Sequence, residues 1–175
     1  MQGLLKRQQY KEAEAYAEKL ADSLPDQMQN VDVNHPILNV VLNQKYRLAK
    51  RKDISFLFYA NDLSDLWLEE QDAVSLLSNL LDNAIEACGK LESGRKIWVK
   101  LVREKRQFVL SIRNTVSEPV DIQDDAIPTS KEDKGRHGIG LKNVRMILDK
   151  YQGMGMMRYE EGCFSYTAVI PEIKV

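Results

Sequence analysis

Residues 76–89 read LLSNLLDNAIEACG, and this stretch decides how the rest of the chain is interpreted. At about 100° per residue, its residues and those just before it separate onto two sides of a helix. The apolar side contains Val74, Leu77, Leu81, Ala84, Ile85 and Cys88, and the polar side contains Asp72, Ser75, Asn79, Asp82, Asn83 and Glu86. The pattern predicts a helix that packs on a sheet and carries a polar stripe on its other side.

The polar stripe differs from that of an ordinary solvated helix, which would usually carry lysines and glutamates. Here two carboxamides, Asn79 and Asn83, lie one helical turn apart with a carboxylate beside each. Such a set of residues favours a chemical role. A plain surface face with capping-type residues is the alternative, and the rest of the chain has to decide between them.

Composition limits what the chain can be. Its 175 residues, 43% of them hydrophobic, suffice for one core with a small helical attachment. A formal net charge of -1 creates no general field for nucleic acid, so any anion must bind to a local arrangement. We therefore expect no nucleic-acid partner.

The two cysteines and the hydropathy pattern indicate the compartment. Cys88 and Cys163 form no CxxC motif and lie in apolar patterns, which predicts reduced core residues of a cytosolic protein. No apolar run approaches the roughly 18 residues of a membrane span. The N-terminus also has no apolar signal core.

Periodicity predicts the order of the elements. Segment 1–24 is helical in composition and could offer a leucine and alanine seam to a partner helix. Further helices are predicted at 37–52, around the opening stretch, and at 138–151; a strand is predicted at 54–60, and hairpins at 96–103 with 107–113 and at 156–159 with 163–170. The polar segment 114–137 is long for a compact domain, which indicates a functional or disordered loop.

A glycine pair at a helix start suggests a phosphate site. Gly138 and Gly140 would allow close backbone approach at unpaired helix N–H groups. The Rossmann fingerprint fails, because Asn143 stands where a third glycine is needed and no strand comes just before. Segment 89–96, GKLESGRK, has P-loop glycine spacing but ends in Arg-Lys where Lys followed by Ser or Thr is required.

The remaining combination resembles the ATP-binding domain of the GHKL superfamily, which includes gyrase, heat-shock chaperones, histidine kinases and MutL. NLLDNAIEA is similar to its N box and GRHGIGLKNV to its second glycine box, and the resemblance covers roughly residues 31–171. It implies an α+β two-layer sandwich, the Bergerat fold, with a mixed, mostly antiparallel sheet and three helices on one face. Residues 31–175 would form this domain, and 1–30 would be a remnant of a dimerisation helical segment.

Within the superfamily the chain looks most like sensor histidine kinases of the quorum-sensing, accessory-gene-regulator type. NHPILNVVLNQKYRLAKRKDISF resembles the entry segment of that branch. The usual first glycine box, DxGxG, is absent, and segment 114–117, NTVS, stands in its place. By this resemblance Asn114 takes the position of the adenine-reading aspartate, since an amide can also contact a purine edge.

The resemblance also assigns roles to the N box. Asn83 takes the position of the asparagine that holds Mg²⁺ against the ATP phosphates. Asn79 stands where the ATP-hydrolysing members carry a glutamate base, and an amide cannot take a proton from water. ATP and Mg²⁺ are therefore the expected cofactors, with Asn79 and Asn83 as catalytic residues and phosphotransfer favoured over rapid hydrolysis.

The lid and the glycine box would complete the nucleotide site. Gly138, Gly140 and Leu141 belong to the box, and Lys131, Lys134 and Arg136 are charge-assisted donors for the triphosphate, although which of them makes the contact stays open. His137, at the lid junction, is expected to pack or cap rather than to catalyse.

The phosphoacceptor is missing from this sequence. His35, the only other histidine, precedes Pro36, which disfavours helical geometry at His35. We therefore expect the γ-phosphate to go to a histidine on a dimerisation helix of a longer, homodimeric, membrane-anchored receptor, whose cytoplasmic part this is, and then to a response regulator. Two alternatives stay open: a non-catalytic nucleotide-binding or dimerisation module, and a serine-directed kinase of the anti-sigma type.

Overall fold

A computed structural model describes residues 30–120, 122 and 137–172. The helices in this part are α1 (Pro36–Arg51), α2 (Glu70–Gly89) and α3 (His137–Lys150), and the strands are β1 (Ser55–Ala60), β2 (Lys96–Glu104), β3 (Gln107–Thr115), β4 (Met154–Glu160) and β5 (Cys163–Pro171). Each bound lies within two residues of the prediction, except that α2 begins at Glu70, before the quoted stretch. Segment 1–24, predicted to be helical, and most of the predicted loop lie outside the described residues.

The strands form a five-stranded sheet in the order β1-β2-β3-β5-β4. β1 and β2 are parallel, and every other pair is antiparallel. Parallel pairing of β1 and β2 requires a crossover, and α2 lies in that connection. The mixed, mostly antiparallel sheet is therefore as predicted.

One face of the sheet carries the core. On β3 the buried residues Phe108, Leu110, Ile112 and Asn114 alternate with less buried ones. The register places Ile97 opposite Asn114 and Tyr166 opposite Ile112, so the buried residues of neighbouring strands lie on the same face. Residues of all three helices join these side chains in one hydrophobic cluster. The predicted α+β sandwich, with the described helices on one face, is confirmed.

Helix α2 fills the centre of the helical layer. Five residues predicted for its apolar side are buried, namely Leu77, Leu81, Ala84, Ile85 and Cys88. Val74 is only half-buried but packs against the core, whereas Ala73, Leu76 and Leu80 are buried as well. The apolar face is wider than predicted because α2 contacts another helix on each side in addition to the sheet.

The start of α1 follows from its sequence. Pro36 occupies the first turn, where a missing N–H costs no hydrogen bond. His35 has φ -132° and ψ 105°, the extended geometry expected of a residue before proline. His35 is therefore outside the helix, which agrees with its rejection as an acceptor.

The prediction that both cysteines are core residues is half right. Cys88 is fully buried, and burial raises the pKa of its thiol even though Thr115 and Lys96 offer hydrogen-bond partners. Cys163 is a free thiol that is only partly buried. The difference arises because Cys163 begins β5 next to a turn, and the next residue, Phe164, is the one that packs against the core. In the described parts of the chain no helix is long and apolar enough to cross a membrane.

Candidate functional site

Helices α2 and α3 pack antiparallel, and two contacts fix their register. Near the middle of α2, Asn79 lies against Gly140 in the first turn of α3. At the other end, Asp72 in the first turn of α2 meets Lys150 and Tyr151 at the end of α3. The N-terminus of α3 therefore points towards the C-terminal half of α2.

Asn83 follows Asn79 by one turn, which is about 6 Å along α2. α3 begins at His137, three residues before Gly140, so Asn83 lies level with the beginning of α3. Helix N-termini carry unpaired N–H groups and the positive end of the helix dipole. Asn83 and the first turn of α3 thus form one polar corner that suits an anion.

Gly140 is buried against Asn79 between the two helices. A Cβ atom at this position would stand 3.2 Å from Asn79 Oδ1, which is tighter than an ordinary contact. The second glycine of the sequence pair therefore permits helix packing, and its predicted phosphate contact stays a prediction. Gly138 is the second residue of α3, and Leu141 packs against the core.

The Asn79 side chain is oriented by its own helix. Its Nδ2 donates to the Ser75 carbonyl oxygen at 2.8 Å and to Ser75 Oγ at 3.2 Å. Its Oδ1 consequently points at Gly140. Asn79 sets the distance between α2 and α3 at the edge of the polar corner.

Asn83 differs from Asn79 in the hydrogen bonding of its side chain. It is partly exposed, and among the described residues no hydrogen bond engages its side chain. An amide oxygen is a hard, neutral ligand of the kind that Mg²⁺ accepts, with waters and phosphate oxygens as the other ligands. Among the residues that the structure describes, no group of three or more acidic, histidine or cysteine residues could hold a metal.

Asn114 lies on the floor of the helical layer at the end of β3. It is 3% exposed, and its Nδ2 donates to the Thr115 carbonyl oxygen at 3.1 Å. The C-terminal turn of α2 lies above it, because Cys88 Sγ is 3.5 Å from the same Thr115 oxygen. No hydrogen bond from a described residue reaches the Asn114 amide oxygen, which leaves polar capacity in a largely apolar setting.

The three predicted lid cations, Lys131, Lys134 and Arg136, lie outside the described residues. The structure thus brings together Asn79, Asn83 and Gly140 with the start of α3, and puts Asn114 beneath the end of α2. The side chain of His137 is likewise undescribed.

Sequence reasoning missed a polar clamp at the far end of α2 and α3. Tyr151 Oη donates to Asp72 Oδ2 at 2.8 Å and accepts the Glu69 backbone N–H at 2.9 Å. Lys150 Nζ lies 2.7 Å from Asp72 Oδ2 and 3.0 Å from Glu69 Oε2. Burial alone would raise the pKa of Asp72, but the hydrogen bonds from Lys150 and Tyr151 outweigh it and hold that pKa below its usual value.

A second missed contact joins α1 to α2. Lys45 Nζ lies 2.6 Å from Asp82 Oδ1, next to Asn83 in sequence. In the sequence, Lys45 lies in one predicted helix and Asp82 in the polar stripe of another, and no local pattern joins them. Neither contact could be deduced, since the paired residues are far apart in the chain.

A family profile described as "GHKL domain" matches residues 68–171, more than half of the chain. A search of curated proteins found no significant match.

Three solved structures illustrate the fold. The catalytic domain of histidine kinase ThkA is 23% identical with a TM-score of 0.60, and the match covers 77% of this chain and 93% of that one. ThkA in complex with the response regulator TrrA is 19% identical (TM-score 0.58; 79% and 40% covered). Full-length ShkA in complex with AMPPNP is 16% identical (TM-score 0.54; 81% and 30% covered). At these identities the likeness establishes the fold.

Proposed function

Since the chain belongs to the GHKL domain family, we propose that it is the catalytic ATP-binding domain of a sensor histidine kinase. In this proposal it binds Mg·ATP and transfers the γ-phosphate to a histidine on a dimerisation helix. The observation that carries the proposal is the Asn83 amide, which makes no hydrogen bond with a described residue and lies beside the N-terminus of α3. Solved histidine kinase structures of similar fold support the proposal, and one of them is a complex with AMPPNP.

Asn83 and the start of α3 would hold the triphosphate. Asn83 Oδ1 would be the protein ligand of Mg²⁺, and the N–H groups of the first turn, around Gly138 and Gly140, would receive phosphate oxygens. When bound, Mg²⁺ neutralises charge on the phosphates. Lys131, Lys134 and Arg136 would add charge-assisted hydrogen bonds.

Asn114 would contact the adenine edge. Its amide can both donate and accept, as a purine edge requires, and it lies on the apolar floor below α2. The proposed base site is therefore at the C-terminal end of α2, and the phosphates run towards Asn83.

Asn79 would make the site a kinase rather than an ATPase. A primary amide is no general base, and its Oδ1 faces Gly140. The site would hold ATP until a histidine nitrogen attacks the γ-phosphorus, the bond to the β-phosphate oxygen breaks, and ADP leaves. The attacking nitrogen uses its lone pair, and the proton on the other ring nitrogen passes to water.

The proposal extends to the whole receptor. We expect a homodimer of the quorum-sensing type, anchored in the membrane, with this domain in the cytoplasm and a response regulator as the next acceptor. The complex of ThkA with the response regulator TrrA supports the last point. Residues 1–30 would then be the end of the dimerisation helices.

The test is transfer of labelled phosphate. The chain is fused to, or mixed with, the helical segment that precedes it in the full receptor, and Mg·[γ-³²P]ATP is added. Acid-labile, alkali-stable phosphate on a histidine is expected, and it should be absent with Asn83→Ala. Binding of ATP without any transfer would favour a non-catalytic nucleotide-binding module, and acid-stable phosphate would indicate a serine-directed kinase; either result contradicts the proposal.

A further inference from the structure

Helix α2 has an unfavourable charge for the ligand proposed. Its sequence, EQDAVSLLSNLLDNAIEACG, contains no lysine, arginine or histidine. Its carboxylates are those of Glu70, Asp72, Asp82 and Glu86. A helix of this charge repels an anion such as Mg·ATP unless neighbouring elements supply cations.

α1 supplies a cation beside Asn83. Lys45 Nζ lies 2.6 Å from Asp82 Oδ1, and Asp82 immediately precedes Asn83. The Lys45 side chain is 13% exposed, whereas that of Asp82 is 54% exposed. The buried stem therefore holds the ammonium group in one place, while the carboxylate it neutralises lies at the surface.

The geometry separates Lys45 from the ligand itself. Successive helix residues diverge by about 100°, so Asp82 points towards α1 when Asn83 points towards the start of α3. The effect of Lys45 on a triphosphate at Asn83 must then act through space and through Asp82. At a protein surface, one charge about 10 Å away changes the affinity for a doubly charged anion by roughly three- to tenfold.

We propose that Lys45 is a positioning residue of the nucleotide site, which holds and neutralises Asp82 so that the acidic helix α2 can accept the triphosphate beside Asn83. This inference rests on the proposed function. It predicts that removal of Lys45 and removal of Asp82 change the affinity for Mg·ATP in opposite directions.

The experiment measures the dissociation constant of Mg·ATP by calorimetry for the parent chain, Lys45→Met, Asp82→Asn and the double variant. Lys50→Met is the matched control, since Lys50 is an exposed lysine of the same helix that lies over the Tyr46 ring. Thermal unfolding of each variant without nucleotide establishes that it is folded. The titrations are repeated at higher salt.

Lys45→Met is expected to weaken binding roughly three- to tenfold. Asp82→Asn should bind as tightly as the parent or more tightly, the double variant should return to within about twofold of the parent, and the differences should shrink in salt. Lys50→Met should match the parent.

Three results would overturn the inference. If Lys45→Met binds Mg·ATP as tightly as the parent, the charge of Lys45 has no effect on the affinity. Equal weakening by both single variants would indicate a packing role, and a double variant that binds several-fold more weakly than the parent would indicate direct phosphate contact. If the parent itself binds no Mg·ATP, the proposed function is wrong, and the inference that rests on it is wrong as well.

Discussion

The clamp at the far end of α2 and α3 can be tested by removing one oxygen atom. Tyr151→Phe deletes the hydroxyl that donates to Asp72 at 2.8 Å and accepts the Glu69 N–H at 2.9 Å. Tyr151 is 9% exposed, so water replaces these bonds poorly. The Glu69 N–H loses its partner, whereas Asp72 keeps Lys150 at 2.7 Å.

The expected cost is about 2 kcal/mol, the sum of one lost hydrogen bond to a charged group and one poorly satisfied N–H, reduced by partial hydration. For a domain of this size that corresponds to a fall in Tm of roughly 4–8 °C. Urea unfolding followed by circular dichroism measures it, with an unchanged m-value expected.

Tyr59→Phe provides the matched control. Tyr59 is half-buried on β1, and its hydroxyl makes no hydrogen bond with a described residue. This variant should stay within about 0.5 kcal/mol of the parent. If Tyr151→Phe is as stable as Tyr59→Phe, the clamp does not hold α3 on α2.

Two further predictions concern the same pair of helices. Because hydrogen bonds hold the pKa of Asp72 below its ordinary value of 3.8, its contribution to stability is present above that value and is lost as the pH falls through the lower folded-state pKa. The stability difference between the parent and Asp72→Asn should therefore be full at about pH 6 and shrink below about pH 4 in acid unfolding. Gly140→Ala places a Cβ 3.2 Å from Asn79 Oδ1 and should weaken Mg·ATP binding by moving the first turn of α3, although alanine favours the helix. Gly89→Ala, where the added atom meets nothing within 4 Å, should bind normally, and equal binding by both alanine variants would refute the close-approach role.

The fold was largely predictable because burial and periodicity agree along the chain. Leu77, Leu81 and Ile85 recur at helical spacing and are buried, and the strands alternate as their residues do. Cys163 was misplaced because an apolar pattern does not say which face of an end-of-strand residue is covered.

The site was predictable only in part. The carboxamides and glycines indicated a phosphate site. The close contact of Asn79 with Gly140 arises from tertiary packing, which the local sequence does not show. Tyr151 and Asp72 are 79 positions apart, and no local pattern couples them. The predicted contacts of Lys131, Lys134 and Arg136 stay predictions.

The central claim is that Asn83 and the start of α3 bind Mg·ATP. Isothermal titration of millimolar ATP with excess Mg²⁺ into the parent chain and Asn83→Ala tests it most directly, with thermal unfolding of both proteins to establish that each is folded. We predict saturable heat for the parent, which is lost without Mg²⁺ and weakened at least tenfold by Asn83→Ala, as expected on removal of a metal ligand. No heat with the parent, or equal binding by a folded Asn83→Ala variant, would contradict the account.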